Sequence, residues 1–505
     1  MAQVTYRGNL SARSFPFLSQ NWGRTVIVGQ YDNNFNRQVV SSDDNDKDIG
    51  IPQVFYMHNV MPHQQGFQSI GYVQVQESLP ADEFAYITFL TRDSVGNIVY
   101  LMVTYAGKVY KSIAGSWIYV RTFPNTNITV AYVSGTTYVY VARVGCYVYS
   151  FGLGDFQLIT LTALDPIQTL GITGSAGYLI AWNRTTIAWS STVDPTDFTP
   201  SLISGAGSGS PEGARGNITC CVPHILGFIT YTEENAVASL YSGNSRYPFN
   251  FREIVNSGGL SALNQVTYDA NSGNHYAYTT SGLQLISTSQ TQTIFTSATD
   301  FIAGKLFEDY NENTDTFYQV TLTDTLQKAI SMVSDRYLVI SYGIGYFTHA
   351  LVYDLTDKRW GKLKIDHSQC FEYKLAVPQV TEIPRQSIAF LGRDGSVKIV
   401  DFSVTATTSN GVIAFGKYQF VRPRLLQLDE IALENITTGG NFLLYNNVAL
   451  DGKNVARSNP VLDQNSAGLF RRYFTRDVGI NHSLIMRGAF SLVSLVLTFN
   501  IDAKR

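Results

Sequence analysis

Charge is what this chain has least of. Asp, Glu, Lys and Arg together make up 15% of its 505 residues, against about 25% in an average soluble domain. The 36 basic and 39 acidic residues leave a net charge of −3. No basic stripe is present of the kind that gripping a phosphate backbone requires, so a nucleic acid that meets this protein slides past it. Cysteine is scarcer still. Cys146, Cys220, Cys221 and Cys370 show no Cys-x-x-Cys spacing, so neither a zinc site nor a disulfide framework is indicated. They read as buried free thiols made in a reducing cytoplasm, with the adjacent Cys220 and Cys221 pointing to opposite faces of one strand. The longest apolar run, Gly488 to Phe499, is too short and too rich in hydroxyls to span a bilayer; overlapping it, Ser491–Ile501 reads as one deeply buried strand. The segment Met1–Arg7 has no apolar core of a signal peptide.

Catalytic signals are equally thin. The histidines His58, His63, His224, His275, His349, His367 and His482 are dispersed, with no His-x-His or His-x-x-x-His pair to hold a metal. Asp43-Asp44-Asn45-Asp46-Lys47-Asp48 has the oxygen density of a calcium loop without its turn glycine or late glutamate, and reads as a solvated acidic loop. No Gly-x-Ser-x-Gly elbow, Walker loop or dinucleotide fingerprint occurs. Ser204-Gly-Ala-Gly-Ser-Gly-Ser-Pro211 lacks the Lys-Ser/Thr that makes a glycine-rich loop a phosphate cradle, and within Ser204–Gly213 reads as a surface loop. Repeated sialidase boxes are absent. Carboxylates such as Glu308, Asp309 and Glu312 are plentiful, but sequence alone does not pair them as a glycosidase pairs its two. The expectation is a protein that is not an enzyme and uses no cofactor and no metal.

What the chain has is aromatics and short strands. Tyr (31) and Phe (29) are abundant, which gives a folding chain with uncharged, tyrosine-rich surface left over for partners. From about residue 84, strands of four to six residues recur between turn signals, such as Phe84–Phe89, Ile98–Val103 and Thr137–Val141. Starts fall roughly every 35–45 residues, the spacing of four-stranded propeller blades. Five to seven blades are expected, without a WD signature, and Gly392-Arg-Asp-Gly-Ser396 reads as a tight hairpin turn. Thr296–Tyr310 has helical spacing of Phe301, Ile302, Lys305 and Leu306, with Thr299 or Asp300 as cap. The fold class that follows is all-β: a β-propeller over 81–410 with a short inserted helix near 297–310, an N-terminal arm over 1–80, and a C-terminal β-sandwich over 411–505. Arg471, Arg472, Arg476 and Arg487 make that tail the most basic part of the chain.

The stretch from Tyr178 to Pro223 organises the rest. It holds Trp182, Ile187-Ala188-Trp189-Ser190, Asp194-Pro195, Asp197-Phe198-Thr199-Pro200, Gly205-Ala206-Gly207 and Gly216-Asn217-Ile218. In this it resembles the tail hub or nozzle proteins of short-tailed bacteriophages, also called packaged-DNA stabilisation proteins. Pro248-Phe-Asn-Phe251, Ser257-Gly-Gly259 and His349–Leu363 extend the likeness, mainly over 170–365. The resemblance implies a structural virion protein assembled in the host cytoplasm: a homo-hexamer below the portal and adaptor, with the 1–80 arm and the 411–505 sandwich completing one β platform, that retains packaged double-stranded DNA, then forms part of its ejection conduit. Its outer loops would dock tail fibres or tailspikes, and the arginine cluster at 471, 472, 476 and 487 would face the adaptor. A conduit suits the absence of basic charge, and a ring subunit needs uncharged flanks. The rival readings from the residues alone are a monomeric propeller that binds glycan or protein and, behind it, a propeller glycosidase.

Overall fold

The computed structural model describes residues 54–402 apart from 64–65, 93–97, 151, 245–246, 303–306, 312–315, 321–325 and 375–385; towards the ends it describes 2–9, 25–27, 30–31, 37–38, 410–419, 426–434, 442–449, 455–457, 461–463, 470–479, 481–492 and 494–501. The acidic stretch 43–48 lies outside them. Seven antiparallel four-stranded meanders follow one another. Their innermost strands are Ala85–Arg92, Ile128–Val133, Gly171–Ser175, Ile218–His224, Val266–Asp269, Leu326–Val333 and Gln369–Lys374, and from the second blade round to the first, neighbouring inner strands pack side by side.

Every seam between blades is an apolar cluster, which is why the branched and aromatic residues fall on both faces of these strands. Val103 and Val109 of the first blade meet Val139 and Tyr147 of the second. Tyr138 and Tyr140 of the second meet Ile172 and Leu179 of the third. Tyr178 and Ile180 reach Phe228 in the fourth, and Ala277 and Ile286 of the fifth join the same cluster. Tyr278 packs with Leu338 and Ile340 of the sixth, and Val339 with Ile388 and Phe390 of the seventh. The ring then closes, because Ala389, Leu391 and Val397 pack against Ala85, Met102 and Tyr110 of the first blade. The protein is a seven-bladed β-propeller.

The seventh blade borrows its outer strand. Gly71–Gln76, from the N-terminal part, pairs antiparallel with Val397–Asp401. The turn Gly392–Ser396 clasps the linker that follows. Asp394 Oδ1 accepts from the Ser396 amide at 3.0 Å and its hydroxyl at 2.7 Å, while Ser78 donates to Oδ2 at 2.9 Å. The amides of Leu79 and Ala85 bond the carbonyls of Asp394 and Arg393 at 2.7 and 2.9 Å. Gly395 is at φ +83°, and a Cβ there would meet Leu79 Cγ at 2.5 Å, so glycine is required.

Strands from both chain ends build a sandwich. One sheet runs Ala2–Asn9, Ser494–Ile501, Leu426–Glu434, Phe470–Gly479. The facing sheet is built on Gly411–Gln419, Asn481–Gly488 and Phe442–Ala449. Leu428, Ile431, Leu495, Leu497 and Phe499 of the first meet Ile413, Phe415, Leu484 and Met486 of the second, in a core continuous with the fifth and sixth blades. The hairpin Val60–His63/Gly66–Ser69 adds to the sixth blade's outer strand.

Three local expectations change. The helix spans Thr296–Ile302, and Phe307–Asn311 is instead a strand paired with Thr316–Val320. Thr299 does not cap it; its amide already donates to the Phe295 carbonyl. Ser204–Gly213 is not all loop, since Gly207–Gly209 is the third blade's outer strand, paired with Ile187–Trp189. Ser491–Ile501 is two strands, not one. Ser491–Leu492 pairs with Phe67–Gln68 beside the sixth blade, and Ser494–Ile501 belongs to the sandwich.

Candidate functional site

At the propeller end that carries the inter-blade linkers, the third, fourth and fifth blades enclose an open cleft of about 500 Å³. Arg184 reaches it from a turn of the third blade, Glu233 from the fourth and Thr280 from the fifth, while Asn217 and Ser261 come from the linkers. The backbone staples linkers to turns. The Ile218 amide donates to the Arg184 carbonyl at 2.8 Å and that of Glu233 to the Asn217 carbonyl at 3.0 Å. Leu260 bonds the Thr232 carbonyl at 2.9 Å. Gly259 is forced by close approach, since a Cβ would stand 1.9 Å from the Glu233 carbonyl oxygen.

Within the cleft the Asn217 amide group donates to both Glu233 oxygens at 3.1–3.2 Å. Thr219 donates to the Leu260 carbonyl at 2.9 Å, and Ser261 to Gln265. Charge of both signs thus sits beside hydroxyl and amide groups, a lining suited to holding a polar ligand by hydrogen bonds. Among the described residues of this cleft, no nucleophile is set against a base, and among all described residues no three His, Cys, Asp or Glu side chains gather as a metal site. Spacing signals pointed to none of these residues, because the turns that meet here are distant in sequence.

Of the motif-bearing stretch 182–218, Arg184, Asn217 and Ile218 line the cleft, and the part between them is scaffolding. Trp189 Nε1 donates to the Gly205 carbonyl at 2.9 Å, and Gly207 lies against the indole, where a Cβ would come to 3.1 Å. Asp194 Oδ1 accepts from the amide and hydroxyl of Thr196 at 2.9 and 2.7 Å, the turn chemistry its sequence implies. Phe198 is buried against the second and third blades.

The buried histidines are structural too. His275 is fixed between the Tyr231 hydroxyl at 2.8 Å and the Pro223 carbonyl at 2.9 Å, and burial pushes its pKa down to about 3. His367 bonds the Ile365 carbonyl and the Ser341 hydroxyl, both at 2.7 Å; burial lowers it to about 4. All four cysteines are buried and free, and burial raises every thiol, Cys146 and Cys221 to about 12.

The four arginines of the tail lie on two strands. Arg471, Arg472 and Arg476 sit on the strand Phe470–Gly479 of one sandwich sheet, and Arg487 on Asn481–Gly488 of the facing sheet. Arg472 is exposed and pairs with Glu430 at 3.4 Å; Arg487 is half-buried.

No family model and no curated protein matches this chain. Solved structures match in shape. The extracellular domain of a putative one-component system, BT4673 of B. thetaiotaomicron, is 11% identical with a TM-score of 0.42, over 93% of this chain and 66% of that one. The corresponding domain of the hybrid two-component system BT3049 is 12% identical (TM-score 0.41), over 78% and 49%. The chain therefore spans about two thirds and half of these two. The WD40 β-propeller domain of Doa1 is 10% identical with a TM-score of 0.39, over 66% of this chain and 97% of that domain. These are likenesses of shape at low identity, and none carries a function across.

Proposed function

We propose that this chain is a structural, ring-forming virion subunit of the tail hub or nozzle type. It would sit below the portal and adaptor, retain packaged DNA and form part of the ejection conduit. The observation that carries the reading is the topology: both chain ends are woven into one sandwich that shares a core with the fifth and sixth blades. A platform made of N- and C-terminal strands beside a propeller is the arrangement the sequence resemblance implies. Low charge supports it as well, since a lumen without a basic lining does not hold passing phosphates. In this reading the propeller's outer loops dock fibres or spikes, and the protein performs no turnover.

A second reading, a binding module, is favoured by the cleft between the third, fourth and fifth blades. Negative-stain microscopy separates the two, on the purified chain alone and mixed with the adaptor from the same genome. Six-fold rings with a pore wide enough for duplex DNA are expected. Single particles in both samples would overturn the ring reading and turn attention to glycan or peptide binding at the cleft.

A further inference from the structure

The two sheets of the sandwich end differently. The sheet built on Gly411–Gln419 is finished with short, broken strands. Thr25–Ile27 and Val54–His58 divide one border between them, and Val455–Arg457 and Val461–Asp463 divide the other. Breaking an edge into short pieces is how a sheet avoids pairing with another molecule. The other sheet has no such finish among the described residues. Among the described residues its borders are Ala2–Asn9, of 8 residues, and Phe470–Gly479, of 10, each paired on one side.

Those two borders are complementary in direction. Ala2–Asn9 runs antiparallel to Ser494–Ile501, which runs antiparallel to Leu426–Glu434, which runs antiparallel to Phe470–Gly479. The first and last strands therefore run opposite ways, so a copy placed beside the first continues the sheet as a regular antiparallel ladder. The register marks the rows: Thr5, Thr498, Glu430 and Phe474 stand in line across the sheet. Phe474 is 77% exposed at one border, with Val478 exposed beside it. An aromatic left in solvent at a long open edge gains most when a neighbouring strand covers it.

We propose that copies of this chain associate head to tail by β-augmentation, the Ala2–Asn9 edge of one joining the Phe470–Gly479 edge of the next. Such a contact uses two different surfaces, so it propagates from copy to copy and closes into a ring where the rotation per step allows. The proposal rests on the ring-forming reading above, for which it names the joint.

Cysteine cross-linking tests it, because the native thiols are buried and unreactive. Gln3→Cys, Thr5→Cys and Arg7→Cys are each combined with Phe474→Cys, covering a straight register and a shift of one row either way. The variants are oxidised under conditions where wild type forms rings, with the adaptor if it is needed, and run on non-reducing gels. A ladder extending beyond dimers from at least one double variant, with each single variant staying monomeric, is expected. Dimers from Phe474→Cys alone would mean like-with-like pairing and overturn the head-to-tail joint. No ladder from any double variant while wild type still forms rings would overturn the joint and leave the ring reading standing. Wild type that forms no rings with or without the adaptor would overturn both.

Discussion

His275 and His367 hold their blades as neutral rings, each with both nitrogens bonded. Their folded pKa values, about 3 and about 4, lie below the ordinary value of 6.5. The unfolded chain therefore takes up the proton first, so their stabilisation is complete above pH 6.5 and drains away as pH falls towards 4 and 3. At pH 4.5 each has lost about 2–3 kcal/mol. Urea unfolding at a series of pH values should show stability falling steeply below pH 6.5. His275→Gln should flatten that slope by up to one proton between pH 4 and 6.5; an unchanged slope would contradict the assignment. Neither residue's role was legible in the sequence, where the histidines are merely scattered. The partners Tyr231 and Ser341 come from other strands, and only the fold brings them together.

At the scale of elements, the turn Gly392–Ser396 was legible as a hairpin from its Arg-Asp-Gly core, but its task was not. It clasps the linker between the borrowed outer strand and the first blade. Burial raises the Asp394 carboxyl, and hydrogen bonds from Ser396 and Ser78 outweigh it and hold the group below the usual carboxylate range. Asp394→Ala should cost about 1–3 kcal/mol in thermal unfolding. It should also speed proteolytic cutting within residues 77–84, because the seam between first and seventh blades is fastened there; protection equal to wild type would argue against a clasp. The blades themselves were readable because half-buried, aromatic-rich strands between turn residues leave a periodic trace. Gly207–Gly209 left none, since three small residues become a strand only through pairing with Ile187–Trp189. The apolar spacing carries a helix through Leu306 towards residue 310, but pairing with Thr316–Val320 makes Phe307–Asn311 a strand.

The whole molecule is a closed seven-bladed ring with a sandwich fused to its fifth and sixth blades. Its class followed from composition and rhythm. The weaving did not, because residues 2–9 and 494–501 are neighbours only in space, and nothing in either segment announces the other. The cleft among the third, fourth and fifth blades was hidden for the same reason. We propose above that this protein is a ring subunit. Native mass measurement of the purified chain, alone and after mixing with its adaptor, tests it most directly. A ring subunit gives a species at six times the protomer mass in at least one sample. A chain that stays at the protomer mass in both would contradict it.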